Sequence, residues 1–177
     1  MDNFHRILVT GGAGFIGGTL IRKLLTDFNC IIYNIDNLNY ASDLRNITTL
    51  EQSKDRHFHL NVNLKNIEDT HEALKEANPD IIFHLAAESH VDRSIIDPKI
   101  FIDANIVGTF NLLEASRSHW ESYTDQKKRR FRFIHISTDE VFGSLNKTNK
   151  FNENSNYDPR SPYSSSKAAS DHLAKAW

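Results

Sequence analysis

Short apolar runs alternate along this chain with stretches of helical spacing. Ile7-Leu8-Val9 is a β-branched run ending at Thr10-Gly11, which predicts a buried strand followed by a turn. From Phe15 to Phe28 the apolar residues Ile16, Leu20, Leu24 and Phe28 recur at helical spacing. Ile31 to Ile35 predicts a second strand ending at Asp36, and Phe58 to Val62 a weaker third. Thr70 to Ala77 predicts a helix closed by Asn78-Pro79. Ile81 to Leu85 is a fourth strand, Phe101 to Ala115 has helical periodicity, and Phe131 to Ile136 is a fifth strand. The segment from Pro162 opens a last helix, because proline pre-sets the first helical turn.

Strands alternating with helices imply right-handed crossovers and a parallel sheet. The expected fold is therefore α/β, a Rossmann-like doubly wound parallel sheet, with one domain over residues 1–177. Ligands of such sheets bind at the C-terminal ends of the strands. The polar, turn-rich stretch from Asn146 to Ser161 is expected to loop over that site.

Composition narrows the function classes. The chain is 39% hydrophobic and 25% charged, an ordinary balance for a soluble protein. A net charge of −2 gives no global field to recruit nucleic acid or an acidic membrane. The one basic run, Lys127-Lys128-Arg129-Arg130, is expected to be a solvated turn before the fifth strand. Neither a signal peptide nor a membrane span fits the sequence. The lone cysteine, Cys30, rules out an internal disulfide framework, fits a reducing cytoplasm, and is expected to be a small buried residue. His84 is expected to be a core or supporting histidine, since no metal-ligand spacing occurs elsewhere.

Gly11, Gly14 and Gly17 follow a strand and open a helix. Such glycines allow a tight turn, close approach of a pyrophosphate, and close helix–strand packing. The helix N-terminus adds N–H donors and the positive end of its dipole. Asp36 ends the next strand, where a carboxylate accepts hydrogen bonds from an adenosine ribose and repels a 2′-phosphate, which favours NAD over NADP.

Tyr163 and Lys167 are four residues apart on one helix and share a face. A nearby ammonium favours the phenolate, which would make Tyr163 a base for an alcohol becoming a ketone. Thr138, Asp139 and Glu140 lie just past the fifth strand. In a partly dry cleft two adjacent carboxyls can have their pKa values driven apart, one acting as acid and one as base, as elimination of water requires.

These segments together resemble the N-terminal half of the nucleotide-sugar 4,6-dehydratases, in the extended short-chain dehydrogenase/reductase superfamily. The resemblance runs through Ile7–Gly17, Asp36–Ala41, His84–Ser94, Asn105–Thr109, His135–Gly143 and Ser161–Leu173, nearly the whole chain. It implies bound, recycled NAD and a nucleotide-sugar substrate, dTDP-glucose first among candidates, with no nucleic acid or membrane partner. Tyr163, helped by Lys167, would deprotonate the sugar 4-hydroxyl as hydride leaves C4. Glu140 would then take the C5 proton and Asp139 would protonate the departing 6-hydroxyl. The resemblance also implies NAD contacts from Phe15, Ile16, Asp36, Asn37, Asn63, Leu64, Ala86, Ala87, Tyr163 and Lys167, and substrate contacts from Ser89 and Thr138. Three positions depart from the family pattern: Asn63-Leu64 where Asp-Ile is usual, Ala104 for a threonine, and Phe142 for a tyrosine.

Family members run to about twice this length, a two-domain size. The resemblance therefore implies that the last strands of the sheet and the sugar-nucleotide domain lie outside these residues, that this chain alone is incomplete, and that the full-length enzyme is a homodimer through the Tyr/Lys helix. Two other readings stay open: a non-catalytic NAD-binding fragment or remnant, and a nucleotide-sugar epimerase, which Asp139-Glu140 disfavours.

Overall fold

The computed structural model describes residues 4–48, 50, 54–146 and 149–177. Five strands, β1 (Arg6–Thr10), β2 (Ile31–Ile35), β3 (His57–Leu60), β4 (Ile81–His84) and β5 (Arg132–His135), form one sheet in the order β3-β2-β1-β4-β5. Every pairing is parallel. The order reverses between β1 and β4, the topological switch point at which ligands of doubly wound sheets bind.

Side-chain alternation sorts the sheet onto two cores. Ile7, Val9, Ile32 and Ile81 pack with Ile21, Leu24 and Leu25 of α1 (Phe15–Asp27) and with Ile47 of α2 (Arg45–Thr48). Leu8, Tyr33, Ile35 and Ile82 face the other way, onto Ala73, Leu74 and Ala77 of α3 (Ile67–Ala77) and onto Leu112 and Ala115 further along. Helices on both faces make the sheet doubly wound. Cys30 is buried in the α1-side core as a free thiol.

The helix ends follow local chemistry. Asn66 caps α3 by accepting from the backbone N–H groups of Glu68 and Asp69, a contact that contributes about 1 kcal/mol. Asn78, left-handed at φ 41°, ends that helix before Pro79. After β4 come α4 (Val91–Ile96), α5 (Pro98–Phe101), a π-helical stretch over Ile102–Val107, and α6 (Gly108–Glu121). The predicted helix from Phe101 to Ala115 is thus interrupted, because the π turns carry an extra residue that shifts the apolar spacing.

The basic run Lys127–Arg130 is not a free turn. It forms α7 (Asp125–Arg130), capped by Thr124, and Lys127 bonds to Asn78 and pairs with Asp80 at 3.7 Å. The third strand begins earlier than Phe58 to Val62 suggests, because His57 and His59 face the α1 side while Phe58 stacks on Tyr33, so polar and apolar positions are exchanged. Ile16, counted above as an apolar helical position, is 64% exposed, and Phe15 is 90% exposed. A 3₁₀ turn over Asp139–Phe142 leads to the final helix, α8 (Pro162–Ala176), which opens with a Ser161/Ser164 capping box and Pro162 in its first turn. No helix among the described residues is long and apolar enough to cross a membrane.

Candidate active site

A cleft of about 450 Å3 opens at the C-terminal ends of β1, β2 and β4. Gly11, Gly14, Phe15, Ile16 and Gly17 form one wall; Asp36 and Asn37 come from the end of β2, Asn63 and Leu64 from the end of β3. Ala86, Ala87 and Ser89 come from the end of β4, and Tyr163 and Lys167 from α8. Of the site residues expected from sequence, only Thr138, Asp139 and Glu140 do not line it.

Sterics explain the glycine wall. Gly11 has φ +69°, and a Cβ there would lie 2.7 Å from the Ala86 backbone nitrogen. A Cβ on Gly17 would lie 2.2 Å from the Gly11 carbonyl oxygen, so α1 and the turn can approach only without it. Gly14 is different: its nearest neighbour, the Gly11 oxygen, is 3.2 Å from a Cβ, and its open side is the cleft. Asp36 locks the wall to β2. Its Oδ2 accepts from Ala13 N–H at 3.0 Å, and its Oδ1 accepts from Leu38 N–H at 2.9 Å and the Ser42 hydroxyl at 2.8 Å. Across the cleft mouth Asn39 donates to Glu88 at 3.2 Å and the Arg93 guanidinium lies over the Tyr40 ring at 3.9 Å.

The buried polar residues behind the cleft form one directed chain. Ala86 N–H donates to Thr10 Oγ1 at 3.1 Å, and Thr10 Oγ1 meets His84 Nδ1 at 2.7 Å. His84 Nε2 meets Thr109 Oγ1 at 2.9 Å, and Thr109 Oγ1 donates to the Asn105 carbonyl at 2.6 Å. Each hydroxyl has one proton, so this order assigns a neutral His84 with its proton on Nε2. Burial drives His84 well below the ordinary imidazole value, and His135 and Lys167 add to the effect. Asn105, in the π-helical stretch, accepts from Glu88 N–H and donates to the Glu88 carbonyl and to Ser166 of α8. It ties the wall after β4 to the helix that carries Tyr163.

Three successive residues at the end of β5 are stitched to α8. His135 Nε2 bonds to Asp171 Oδ1 at 3.0 Å, and the Ser137 hydroxyl donates to Asp171 Oδ2. Between them the Ile136 carbonyl accepts from Lys167 Nζ at 2.6 Å. Burial lowers Lys167 to about 8, with the Asp171 carboxylate opposing. Burial raises the Tyr163 phenol above its ordinary value; the Thr138 hydroxyl pulls the other way, while Glu140, Asp139 and Asp171 raise it further. The expected lowering of Tyr163 by the ammonium is therefore not what this arrangement gives, because burial and the three carboxylates set the direction and Lys167 Nζ is turned to the Ile136 carbonyl. Asp139 and Glu140 are exposed rather than in a dry cleft, at the rim beyond Thr138. The described residues of the 146–161 segment do not line the cleft either: Phe151 and Tyr157 pack on Phe142 of the 3₁₀ turn, and Tyr157 donates to Asp171.

Sequence reasoning missed Asn105, Ser42 and Asp171. Asn105 and Asp171 lay in segments carrying the resemblance but, like Ser42, are ordinary polar residues in sequence. Among the described residues no group of three or more His, Cys, Asp or Glu is placed to hold a metal ion.

The model of the GDP-mannose 4,6 dehydratase family matches residues 8–177. The chain belongs to this family. Among relatives of the GDP-mannose 4,6 dehydratase kind, a probable dTDP-glucose 4,6-dehydratase of Sinorhizobium fredii is 47% identical over 172 residues, covering 97% of this chain and 49% of the relative. The crystal structure of the Streptomyces venezuelae dTDP-glucose 4,6-dehydratase with NAD bound is 35% identical, with a TM-score of 0.84 over 97% of this chain and 51% of that one. A UDP-glucose 4-epimerase of Thermus thermophilus in complex with NAD is 29% identical, with a TM-score of 0.82 over 97% of this chain and 50% of that one. Solved enzymes named for different reactions thus share this backbone. The chain spans about half the length of the curated relatives it matches.

Proposed function

We propose that this chain is the cofactor-binding and acid–base half of an NAD-dependent nucleotide-sugar 4,6-dehydratase, acting on dTDP-glucose. The observation that carries the reading is the placing of Tyr163 and Lys167 in a glycine-walled cleft, with Lys167 bonded to the strand end that leads into Thr138, Asp139 and Glu140. The residues fit NAD: the cleft wall excludes Cβ atoms where a pyrophosphate would approach, and Asp36 stands at the ribose position. NAD held here would supply a reversible hydride acceptor. Gly11, Gly14 and Gly17 would admit its phosphates to the N-terminus of α1, and Asp36, Asn37, Asn63, Leu64, Ala86 and Ala87 would flank its adenosine and ribose portions.

Tyr163 takes the proton from the sugar 4-hydroxyl, with Thr138 near enough to the phenol to bond the same sugar hydroxyl. Lys167 orients the Ile136 carbonyl and holds its positive charge within the cleft. Oxidation at C4 acidifies C5–H, which Glu140 removes while Asp139 protonates the 6-hydroxyl as water leaves. Ser89 contacts the sugar nucleotide at the mouth. The exposed pair suits this assignment only where further protein covers it, which agrees with a chain half as long as its relatives. Exposed Ile96, Ile102, Val107, Phe110 and Trp177 on the helices beside α8 support a homodimer of the complete enzyme, and the lone buried cysteine supports a cytoplasmic setting.

The test is to titrate the purified chain with NAD, then add dTDP-glucose and look by mass spectrometry for sugar nucleotide lighter by one water. NAD binding with no product supports a half-enzyme, and product shows that these residues suffice. A folded chain that does not bind NAD overturns the reading.

A further inference from the structure

We propose that Asp171 is a positioning residue for the Tyr163/Lys167 pair, holding the segment from His135 to Ser137 in register with α8 and standing as the buried anion opposite the Lys167 ammonium. The inference rests on the reading of Tyr163 and Lys167 as the acid–base pair.

Its basis is an alternation. Residues 135 and 137 bond to Asp171, while residue 136 bonds to Lys167. The carbonyl that orients Lys167 is therefore clamped on both sides by the same carboxylate. Asp171 lies one helical turn beyond Lys167 and two beyond Tyr163, on the face that packs against β5. Its side chain is only 10% exposed. A third donor, Tyr157 at 2.9 Å, ties in the segment that packs on the 3₁₀ turn of Asp139 and Glu140. One carboxylate thus collects the strand end, the helix and the segment behind the acidic pair.

A buried carboxylate with three donors stays ionised: burial alone would raise it, and the bonds from His135, Ser137 and Tyr157 bring it below its ordinary value. The groups that couple to Lys167 are Asp171 on its own helix and His84 on β4, which in turn couples to His135 on β5. Both histidines are packed ring against ring at 5.3 Å. His84 is neutral, so Asp171 is the charge that offsets the desolvation of the ammonium.

Asp171→Asn is the decisive variant. Asparagine Oδ1 still accepts from His135, and its Nδ2 donates to the Ser137 and Tyr157 hydroxyls turned to accept, so the ties persist without the charge. The Lys167 side-chain nitrogen is followed by NMR through a pH titration of the labelled chain, with solvent exchange of its ammonium protons. In D171N, Lys167 is expected to titrate at lower pH than in the parent and to exchange faster. In D171E, the midpoint returns toward the parent, and in the neutral D171S it does not. A residue that only braced the fold would lower thermal stability and leave Lys167 in place, so an unchanged midpoint in the folded variants overturns the proposal. Should neither neutral variant fold, the parent decides: Lys167 must show a second, acid inflection as Asp171 protonates, and its absence is equally fatal. These readouts need neither NAD nor sugar, so their failure is distinguishable from failure of the dehydratase reading.

Discussion

Ala13 donates its backbone N–H to Asp36 over 3.0 Å, so the glycine turn and the end of β2 share one carboxylate. With Leu38 and Ser42 on its other oxygen, Asp36 is a structural clasp as well as the proposed ribose acceptor.

Asp36→Ala should therefore fail twice. Stranding these donors should lower stability by roughly 1–3 kcal/mol. Loss of charge-assisted bonds to the ribose, on the order of 1.5–3 kcal/mol, should weaken NAD binding about tenfold or more. Urea unfolding and NAD titration check the two effects separately; a weakened affinity at parental stability would show that the clasp contributes nothing.

The three glycines should separate by mechanism. Gly17→Ala puts a methyl 2.2 Å from the Gly11 oxygen, and Gly11→Ala meets the Ala86 backbone at positive φ, so each should destabilise the fold by on the order of 1–3 kcal/mol or more. Gly14→Ala meets only one atom, at 3.2 Å, and projects into the cleft. It should keep near-parental stability while losing most NAD affinity, which calorimetric titration and a thermal melt on the same sample would decide.

Acid should unfold this protein through its histidines. His84 lies well below its ordinary value by burial, and His57 is lowered to about 4, mainly by burial and further by His59. A depressed imidazole means that the unfolded chain binds protons the folded chain refuses. This contribution is complete above pH 6.5, the ordinary value, and is lost as pH falls below it toward the folded values. Melting temperature should be level above that pH and drop between about 6.5 and 4, and His57→Gln should flatten part of the drop. A profile level down to pH 4 would contradict this account.

In whichever assembly turns over the sugar, Tyr163→Phe should lower turnover by about 10²–10⁴ while NAD affinity changes little, since the phenol acts on substrate. Glu140→Gln should abolish elimination and also leave cofactor binding intact. If the Gln variant still released water, the assignment of Glu140 as the C5 base would be wrong.

What the sequence disclosed was whatever repeats or punctuates. The β-branched runs located the strands within a residue or two, and Gly11, Gly14 and Gly17 marked the turn, because each depends on local sterics. The third strand lies one to two residues earlier than its apolar run, at His57–Leu60, because Phe58 and Leu60 pack on one side while the imidazoles of His57 and His59 take the positions on the other. Thr124 could have revealed α7, being an N-cap residue just before the basic run. Asn105 and Asp171 carry no local signature: their partners lie as far as 61 and 36 positions away along the chain, so only the folded backbone brings them to the site. The exposure of Asp139 and Glu140 likewise follows from tertiary packing that no spacing encodes.

The π-helical stretch over Ile102–Val107 holds Ala104 at the cleft and Asn105 against Glu88 and Ser166, while α6 beyond it keeps Leu112 and Ala115 in the core. Two faces with different demands are thus served by one continuous rod, because a wider turn adds a residue between them. In an α-helix each residue is worth about 100° of rotation. A one-codon deletion within these six positions would restore regular winding, leave the sheet-facing residues undisturbed, and swing Asn105 away from both partners. In evolutionary terms, a single-residue insertion into a plain helix suffices to create this corner of the site, without repacking anything behind it.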